Sequence, residues 1–335
     1  MIQKIIFQGS EGAFGDIAAR KYFDATRVIP LKRGIRTKKE RIPGPILPAG
    51  RQVGDDIIMK GVPTFHEVFH EVQKGKADYG VVPIENSVAG SIYDNIDLLS
   101  QTKLQIVGEV YIRVNLHLLI NNNVSLRLRS RSILKQIKKV YSHPKALEQC
   151  SEFLRNHPWM QGITTFDTAG SAKMVAQNKR EDEAAVASEE AAKLYGLTLI
   201  KKNIENNHEN YTRFVVIAAV NRHSGKPVGH IQNPDSVVSA SWALPQNDKV
   251  YKMSLMFKLK HEPGTLYRAF GCLAKYNLNV TKIESRPLVG KPWEYLFYLD
   301  YELNNDFESA LTDLKACTKD LHILGIYQKG EAYGN

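Results

Sequence analysis

From residue 1 to about 220 the chain alternates short unbroken apolar runs with amphipathic stretches. Ile5-Ile6-Phe7, Tyr79-Gly80-Val81-Val82, Val140-Tyr141 and Ala184-Ala185-Val186-Ala187 have the pattern of strands buried on both faces. Between them Phe65, Val68, Phe69 and Val72 fall at helical spacing, as do Ile92, Ile96 and Leu99, and then Leu147, Cys150 and Leu154. Strands alternating with helices predict a mostly parallel α/β sheet. Two such units, divided near residue 110 and rejoined near residue 200, would leave a cleft between them.

Two stretches break this rhythm. Arg33 to Pro63 carries Ile42-Pro43-Gly44-Pro45-Ile46-Leu47-Pro48-Ala49-Gly50, too dense in proline and glycine for a helix or central strand, and reads as a surface insertion. Residues 221–249, with Ser224-Gly225-Lys226-Pro227 and Asn233-Pro234-Asp235, read as a linker. Beyond it the period changes. Tyr251, Met253, Leu255, Phe257 and Leu259 alternate like a half-exposed strand, and Pro263-Gly264 opens a helix with Leu266, Ala269, Phe270 and Leu273 on one face. Val280 to Ser285 and Tyr295 to Tyr301 supply two strands, Phe307 to Cys317 a helix, and Ile323 to Tyr327 a last strand. That βαββαβ order is the ferredoxin-like unit. The expected boundaries are 1–220 for the first domain, 221–249 for the linker and 250–330 for the second domain.

The 335 residues, 43% of them hydrophobic, suit a globular chain of two or three domains. No apolar run approaches the length of a membrane span, and the start is too soon broken for a signal peptide, so a cytoplasmic protein is expected. Cys150, Cys272 and Cys317 are odd in number and lie far apart in sequence, each within an apolar helical pattern, which suits buried free thiols. They support neither a metal site nor a disulfide framework. The formal net charge of +10 gathers in Lys32 to Arg41 and Arg127 to Arg131 rather than on one aromatic-studded face. Solvated loops account for it, and it agrees with an anionic small-molecule substrate; no nucleic-acid or membrane partner is expected.

The motifs are more specific. Gly9-Ser10-Glu11-Gly12-Ala13-Phe14 closes the first strand, Val82-Pro83-Ile84-Glu85-Asn86-Ser87 with Gly90 follows a later one, and Tyr141-Ser142-His143-Pro144 leads to Gln149-Cys150. Thr168-Ala169-Gly170, Tyr195-Gly196-Leu197 and Asn210-Tyr211-Thr212-Arg213-Phe214 come next, then Pro263-Gly264-Thr265-Leu266, Glu284-Ser285-Arg286-Pro287 and Pro292-Trp293-Glu294. In this order they resemble the prephenate dehydratases that carry a C-terminal ACT regulatory domain. The likeness covers nearly the whole chain apart from the insertion and linker. It implies an α/β fold whose catalytic domain has two lobes, like a periplasmic binding protein, plus a ferredoxin-like ACT domain. It also implies conversion of prephenate to phenylpyruvate, carbon dioxide and water without a cofactor, and feedback control by phenylalanine. A homodimer or homotetramer is expected because ACT domains pair.

The residues that carry this resemblance divide into three groups. Thr212 is the expected partner of the leaving hydroxyl, as a hydrogen-bond donor or relay, because its hydroxyl is too weak an acid to act as a bulk proton source. Arg213 has the planar fork to hold a substrate carboxylate, its structural alternative being an ion pair with Glu205 or Glu85. Asn86 and Ser87 supply neutral donors; Ser142 either contacts substrate or caps the helix that follows; Gln149 lies about two turns along that helix. Glu85, Phe214, Thr168 and Gly9 are expected to contact substrate or support those that do. His143, beside a helix-starting proline, is expected to be structural. Gly15 stands where the family often has serine. Phenylalanine is expected between Pro263-Gly264-Thr265-Leu266 and Glu284-Ser285-Arg286-Pro287, with Thr265 where alanine is common. The alternatives are an arogenate dehydratase, which would form phenylalanine directly, and a non-catalytic amino-acid sensor.

Overall fold

The computed structural model describes residues 3–26, 57–122, 130–219, 249–288, 290–291 and 293–333. Most of the proline-rich insertion and nearly all of the expected linker lie outside these residues. The end of the insertion does not: Ile57–Val62 form strand β2, paired in parallel with β1 (Gln3–Gln8) from Gln3↔Ile57 to Gln8↔Val62. Ladder pairing of Ile57-Ile58-Met59 overrides the turn-rich composition upstream.

The first lobe is a 7-stranded sheet in the order β16-β5-β11-β3-β1-β2, in which β16 is Ala332–Tyr333 from the end of the chain and the short β4 (Gly90–Ser91) is hairpinned off β3 (Tyr79–Asn86). β1, β2 and β3 are parallel, whereas β11 (Tyr211–Ala219) runs antiparallel to both β3 and β5 (Leu104–Arg113). The sheet is therefore mixed rather than mostly parallel. Its apolar strands face two layers. Helix α1 (Phe14–Thr26) covers one face, where Phe23 meets Ile5, Phe7, Val81, Phe214 and Val216. Helices α2 (Phe65–Gln73) and α3 (Tyr93–Gln101) cover part of the other through Val68, Phe69, Val72, Ile96 and Leu99. α2 starts where it does because the Thr64 hydroxyl accepts from the Glu67 amide at 3.2 Å.

The second lobe is a 5-stranded sheet in the order β10-β6-β9-β7-β8. It comprises β6 (His117–Asn121), β7 (Lys139–Ser142), β8 (Gln161–Thr164), β9 (Glu183–Ala187) and β10 (Leu197–Lys201). Around it lie α4 (Ser130–Gln136), α5 (Pro144–Gln149), α6 (Ser151–Arg155), α7 (Thr168–Asn178) and α8 (Glu189–Tyr195). The helical spacing of Leu147, Cys150 and Leu154 is realised in two short helices that meet at Cys150. The lobes exchange chain twice, through residues 114–116 and 202–210, close to the positions expected from the pattern.

The C-terminal domain is β12 (Tyr251–Lys258), α9 (Thr265–Lys275), β13 (Val280–Pro287), β14 (Tyr295–Glu302), α10 (Phe307–Cys317) and β15 (Lys319–Gln328). Its sheet order, β13-β14-β12-β15 with antiparallel neighbours, is ferredoxin-like. α9 and α10 cover the face of Met253, Leu255, Phe257, Leu299 and Tyr301. The other face lies on the first lobe, where Met256, Tyr298, Leu324 and Tyr327 join the core of Val82, Ile84, Ile106, Val215 and Ile217. β12 is therefore buried on both faces rather than half-exposed: Lys252 and Ser254, the polar members of its alternation, are buried. Gly325 permits the contact, since a Cβ there would stand 2.0 Å from the Ile106 carbonyl oxygen. The chain then returns to the first lobe as β16 (Ala332–Tyr333), parallel to β5.

The fold also joins two thiols that lie far apart in sequence. Cys272 on α9 and Cys317 on α10 approach to 3.5 Å between sulfurs; Cys272 and Cys150 are buried, but Cys317 is exposed.

Candidate active site

β3 and β11 end side by side at the mouth of the first lobe, pairing Thr212 with Asn86 and Arg213 with Glu85. The Asn86 Oδ1 accepts from the Val88 and Ala89 amides at 3.0 and 2.7 Å, which fixes the orientation of the side-chain amide. Its Nδ2 must then point the other way. It reaches the Asn210 Oδ1 at 2.7 Å, the Thr212 Oγ1 at 3.0 Å and the Tyr211 carbonyl at 3.2 Å. Thr212 receives a hydrogen bond from Asn86, so its own proton is free to be donated, and no described residue accepts it.

Neighbours on a strand point to opposite faces, and this separates Thr212 from Arg213. Thr212 shares the face of Phe214 and Val216, which pack under α1; Arg213 shares that of Val215 and Ile217, against the C-terminal domain. The Arg213 guanidinium is 3% exposed. Nε donates to Glu109 at 2.7 Å, Nη1 to Asp300 at 2.5 Å and Nη2 to the Tyr327 hydroxyl at 3.0 Å. The expectation that it binds a substrate carboxylate is overturned, because its fork is already filled on the far side of the sheet from Thr212. Neither expected structural partner takes its place: Glu205 accepts from the Leu116 amide, and Glu85 pairs chiefly with Lys282 at 3.0 Å, reaching Arg213 only at 4.0 Å. Burial opposes the charge on the guanidinium, yet Asp300 and Glu109 raise its affinity for its proton.

Ser142 is also placed differently from its expected roles. It ends β7, is fully buried and donates to the Val186 carbonyl at 2.6 Å, so it neither faces a ligand nor caps a helix. The cap of α5 is His143, whose Nδ1 accepts from the Lys145 amide at 3.3 Å and whose proton affinity is lowered by burial. The structural reading of His143 therefore stands. Ser87 is exposed, donates to the Glu209 carbonyl and accepts from the Tyr211 amide, both at 2.9 Å, pinning the entry to β11. Phe214 is core rather than cleft, packed with Phe7 and Phe23.

The opposite wall comes from the second lobe. Gly9 turns at φ +104°, and Ser10 beside it binds the Asp167 carboxylate through Oγ at 2.9 Å. Asp167 caps α7 by accepting from the Gly170 amide, so Gly9 and Thr168 stand on either side of one interlobe clasp. Ser188 donates to the Gly12 carbonyl at 2.8 Å and Tyr195 to that of Glu11 at 2.8 Å, fastening the same loop. Gln149 is half-buried at the end of α5. Its carbonyl accepts from the Asn206 amide at 2.6 Å, while its side-chain amide is unpaired among the described residues. Segment 202–210 thus meets Gln149 through Asn206 at its middle and Asn86 through Asn210 at its end, where β11 begins.

Three residues here escaped the sequence reading. Asp167 stood beside Thr168, and Asn210, quoted in its motif but given no role, two residues before Thr212; the helix cap and the polar residue before a strand were the available signals. Asn115, on the first crossover, keeps an Oδ1 without a donor among the described residues, and no pattern announced it. A separate open cavity of about 500 Å³ is lined by Gln8, Thr64, Phe65, His66, Asp94 and Asp97. Its two aspartates suit a dianion poorly, and it includes neither Thr212 nor Asn86. Among the described residues no cluster of His, Cys, Asp or Glu has the arrangement of a metal site, and no helix is long and apolar enough to cross a membrane.

In the C-terminal domain Gly264, at φ +79°, precedes α9, with Thr265 bonded back to the Glu262 carbonyl and Leu266 partly exposed. Of the second expected effector segment, two side chains are already engaged by the first lobe. Glu284 accepts from Ser91 at 2.6 Å, and Arg286 grips Asp97 at 2.9 and 2.7 Å over the Tyr93 ring. Ser285 and Pro287 face outward.

Comparison with known proteins gives this geometry a family. The model of a family described as prephenate dehydratase matches residues 48–222. A bifunctional chorismate mutase/prephenate dehydratase of Aquifex aeolicus is 37% identical over 270 residues, 79% of this chain and 65% of its own length. The enzyme of the same description from Escherichia coli K12 is 32% identical over 327 residues, 97% of this chain and 70% of its own length. The chain thus spans about two thirds of the length of these relatives. Among solved structures, one titled GqqA, a novel type of quorum quenching acylases, is 28% identical with a TM-score of 0.70, covering 98% of both chains. A prephenate dehydratase from Arthrobacter aurescens in complex with L-Phe shares the fold, with a TM-score of 0.70 at 22% identity over 97% of this chain and 89% of its own. With more than half its length matched by the family's model and 97% of it aligned to the Escherichia coli relative, the chain belongs to the prephenate dehydratase family, whose members are lyases.

Proposed function

We propose that the interlobe cleft binds prephenate and converts it to phenylpyruvate, carbon dioxide and water. The bond from the ring to its carboxylate breaks, that electron pair enters the ring, and hydroxide leaves the opposite carbon and takes a proton. Aromatisation drives the reaction, so the protein has mainly to orient the substrate and help the hydroxide leave. The observation that carries this reading is the polarity of Thr212: Asn86 donates to its Oγ1 at 3.0 Å, leaving its proton for a leaving oxygen. A neutral donor suits a site that must accept a dianion and release an anion. Gln149, with an unpaired side-chain amide, is the second neutral contact in this reading; Thr168 shapes the opposite wall, and Gly9 borders it from the first lobe.

The C-terminal domain is read as an ACT domain that binds phenylalanine between two copies of the chain. Supporting this, β13 is an edge strand, and Leu266, Tyr267, Ile283 and Trp293 around it are exposed, Tyr267 by 83%. Assembly as a homodimer or homotetramer would cover that edge, and effector binding would shift the balance between open and closed clefts. Incubation with prephenate, and separately with arogenate, tests the assignment. Phenylpyruvate from the first supports it; phenylalanine from the second alone favours an arogenate dehydratase; ligand-induced stabilisation with neither product leaves a sensor.

A further inference from the structure

Behind the strand that carries Thr212 lies a set of six charges, five of them buried and Glu85 partly exposed, half of the set supplied by the C-terminal domain. The first lobe contributes Arg213, Glu109 and Glu85; the C-terminal domain contributes Lys252, Lys282 and Asp300. The Glu109 and Asp300 side chains have no exposure, and those of Lys252 and Arg213 have 2% and 3%. Glu109 Oε2 accepts from both Arg213 Nε at 2.7 Å and Lys252 Nζ at 3.1 Å, while Asp300 takes Arg213 Nη1. Ser254 binds the other Asp300 oxygen and contacts the Tyr327 hydroxyl, itself the acceptor for Arg213 Nη2. With the six side chains ionised the set is neutral, three cations against three anions. Without the C-terminal domain, Arg213 would face Glu109 and Glu85 alone and lose two of its three closest partners.

We infer that Arg213 is a positioning residue for Thr212, and that Asp300 and Tyr327 let the docked C-terminal domain set the geometry of the catalytic strand. Three observations converge on this. Arg213 and Thr212 are adjacent on β11, and β3 carries an extra residue, Ile84, opposite the step from Arg213 to Phe214, so the β3 side of the ladder is irregular there while β11 keeps its register with β5. Arg213 is held at all three nitrogens, which fixes its side chain and with it the backbone on which Thr212 sits. The domain has little freedom to slide, because Gly325 lies directly on Ile106 and the Gly330 amide donates to Glu109 Oε1 at 3.0 Å, just before β16 joins β5. A change in how the C-terminal sheet sits is thereby passed through Asp300 and Arg213 to the hydroxyl one residue away.

This inference rests on the reading of Thr212 as the residue facing the leaving hydroxyl. Wild type, Asp300→Asn, Tyr327→Phe, Arg213→Lys and Arg213→Ala would be compared for kcat and KM on prephenate, normalised to folded protein, and for amide exchange at residues 211–214. Asp300→Asn and Tyr327→Phe are expected to lower kcat about tenfold to a hundredfold, with exchange at 211–214 accelerated. KM should stay within about twofold, because nothing that touches substrate has been removed. Arg213→Lys should retain more turnover than Arg213→Ala. A raised KM with kcat preserved would return Arg213 to the substrate and overturn the inference, as would unchanged kcat and exchange in both partner variants. Should Asp300→Asn not fold, Tyr327→Phe, which keeps every charge, decides alone. If wild type itself produces no phenylpyruvate, the functional reading fails, and the exchange data still judge the coupling.

Discussion

Replacing Asn86 by Asp would keep the side chain's shape and invert one hydrogen bond. The oxygen that accepts from Val88 and Ala89 remains, so the turn after β3 keeps its anchor. The nitrogen becomes a second oxygen facing Asn210 Oδ1, the Tyr211 carbonyl and Thr212 Oγ1, at distances that were 2.7, 3.2 and 3.0 Å. Asn210 can turn its amide to donate instead. Thr212 has one way to adapt: its proton swings to the carboxylate and is lost to the leaving hydroxyl. Removing one aimed donor of this kind costs about 10²–10³ in kcat, or about 2.7–4 kcal/mol of barrier. Lost hydrogen bonds account for about 1 kcal/mol of stability each, so the variant should fold. The assay is phenylpyruvate formation at saturating prephenate. Thr212→Val should lose a similar factor, and the double variant should be no worse than the worse single one, since both remove the same donor. Acidification should partly restore Asn86→Asp, as a protonated carboxyl regains a donor. Turnover near wild type in Asn86→Asp, or losses that multiply in the double variant, would refute the reasoning.

Gly325→Val should undock the C-terminal domain, since any Cβ would overlap the Ile106 carbonyl; overpacking typically costs about 1–3 kcal/mol, and calorimetry should show an earlier transition, whereas an unmoved melt would count against the contact. His143 has its proton affinity lowered by burial, so the unfolded chain binds more protons: stability is full above the unfolded pKa of about 6.5 and declines as pH falls below it. His143→Asn, a cap that does not titrate, should flatten that dependence between neutral and mildly acid pH, and an unchanged slope would contradict it. Native alkylation should label exposed Cys317 first, while Cys150, whose thiol is pushed up by burial, and Cys272, pushed up to about 11, stay protected until unfolding; mass spectrometry of the labelled peptides checks the order.

Much of the fold was legible because its signals are local. The helical spacing of Phe65, Val68, Phe69 and Val72, the unbroken run Ala184 to Ala187, and the changed period after residue 249 each correspond to an element in the structure. The meeting of Thr212 with Asn86 was expected from the motifs, and β11 begins where β3 ends, in the middle of the first lobe's sheet. The error over Arg213 was avoidable on strand geometry alone: once Thr212-Arg213-Phe214 opens a strand, adjacent side chains must diverge. The buried charges were another matter. Lys252 and Ser254 alternate with Met253 and Leu255 as a solvent-facing side would, and only the docking of one sheet on another turns that polar face into an interior. Ser142 failed for a related reason, because its partner, the Val186 carbonyl, is 44 residues away on a neighbouring strand. The parallel pairing of β2, preceded by a proline-rich tract, likewise depends on β1 rather than on its own sequence.

The central claim is that the Thr212 hydroxyl, oriented by Asn86, donates to the departing oxygen of prephenate. Single-turnover conversion by wild type, Thr212→Ser and Thr212→Val measures this directly, with prephenate binding determined separately. The account predicts that Ser, which keeps the hydroxyl, stays within about tenfold of wild type and that Val falls by about a hundredfold or more, with affinity little changed in either. A Thr212→Val enzyme that forms phenylpyruvate at the wild-type rate would contradict it.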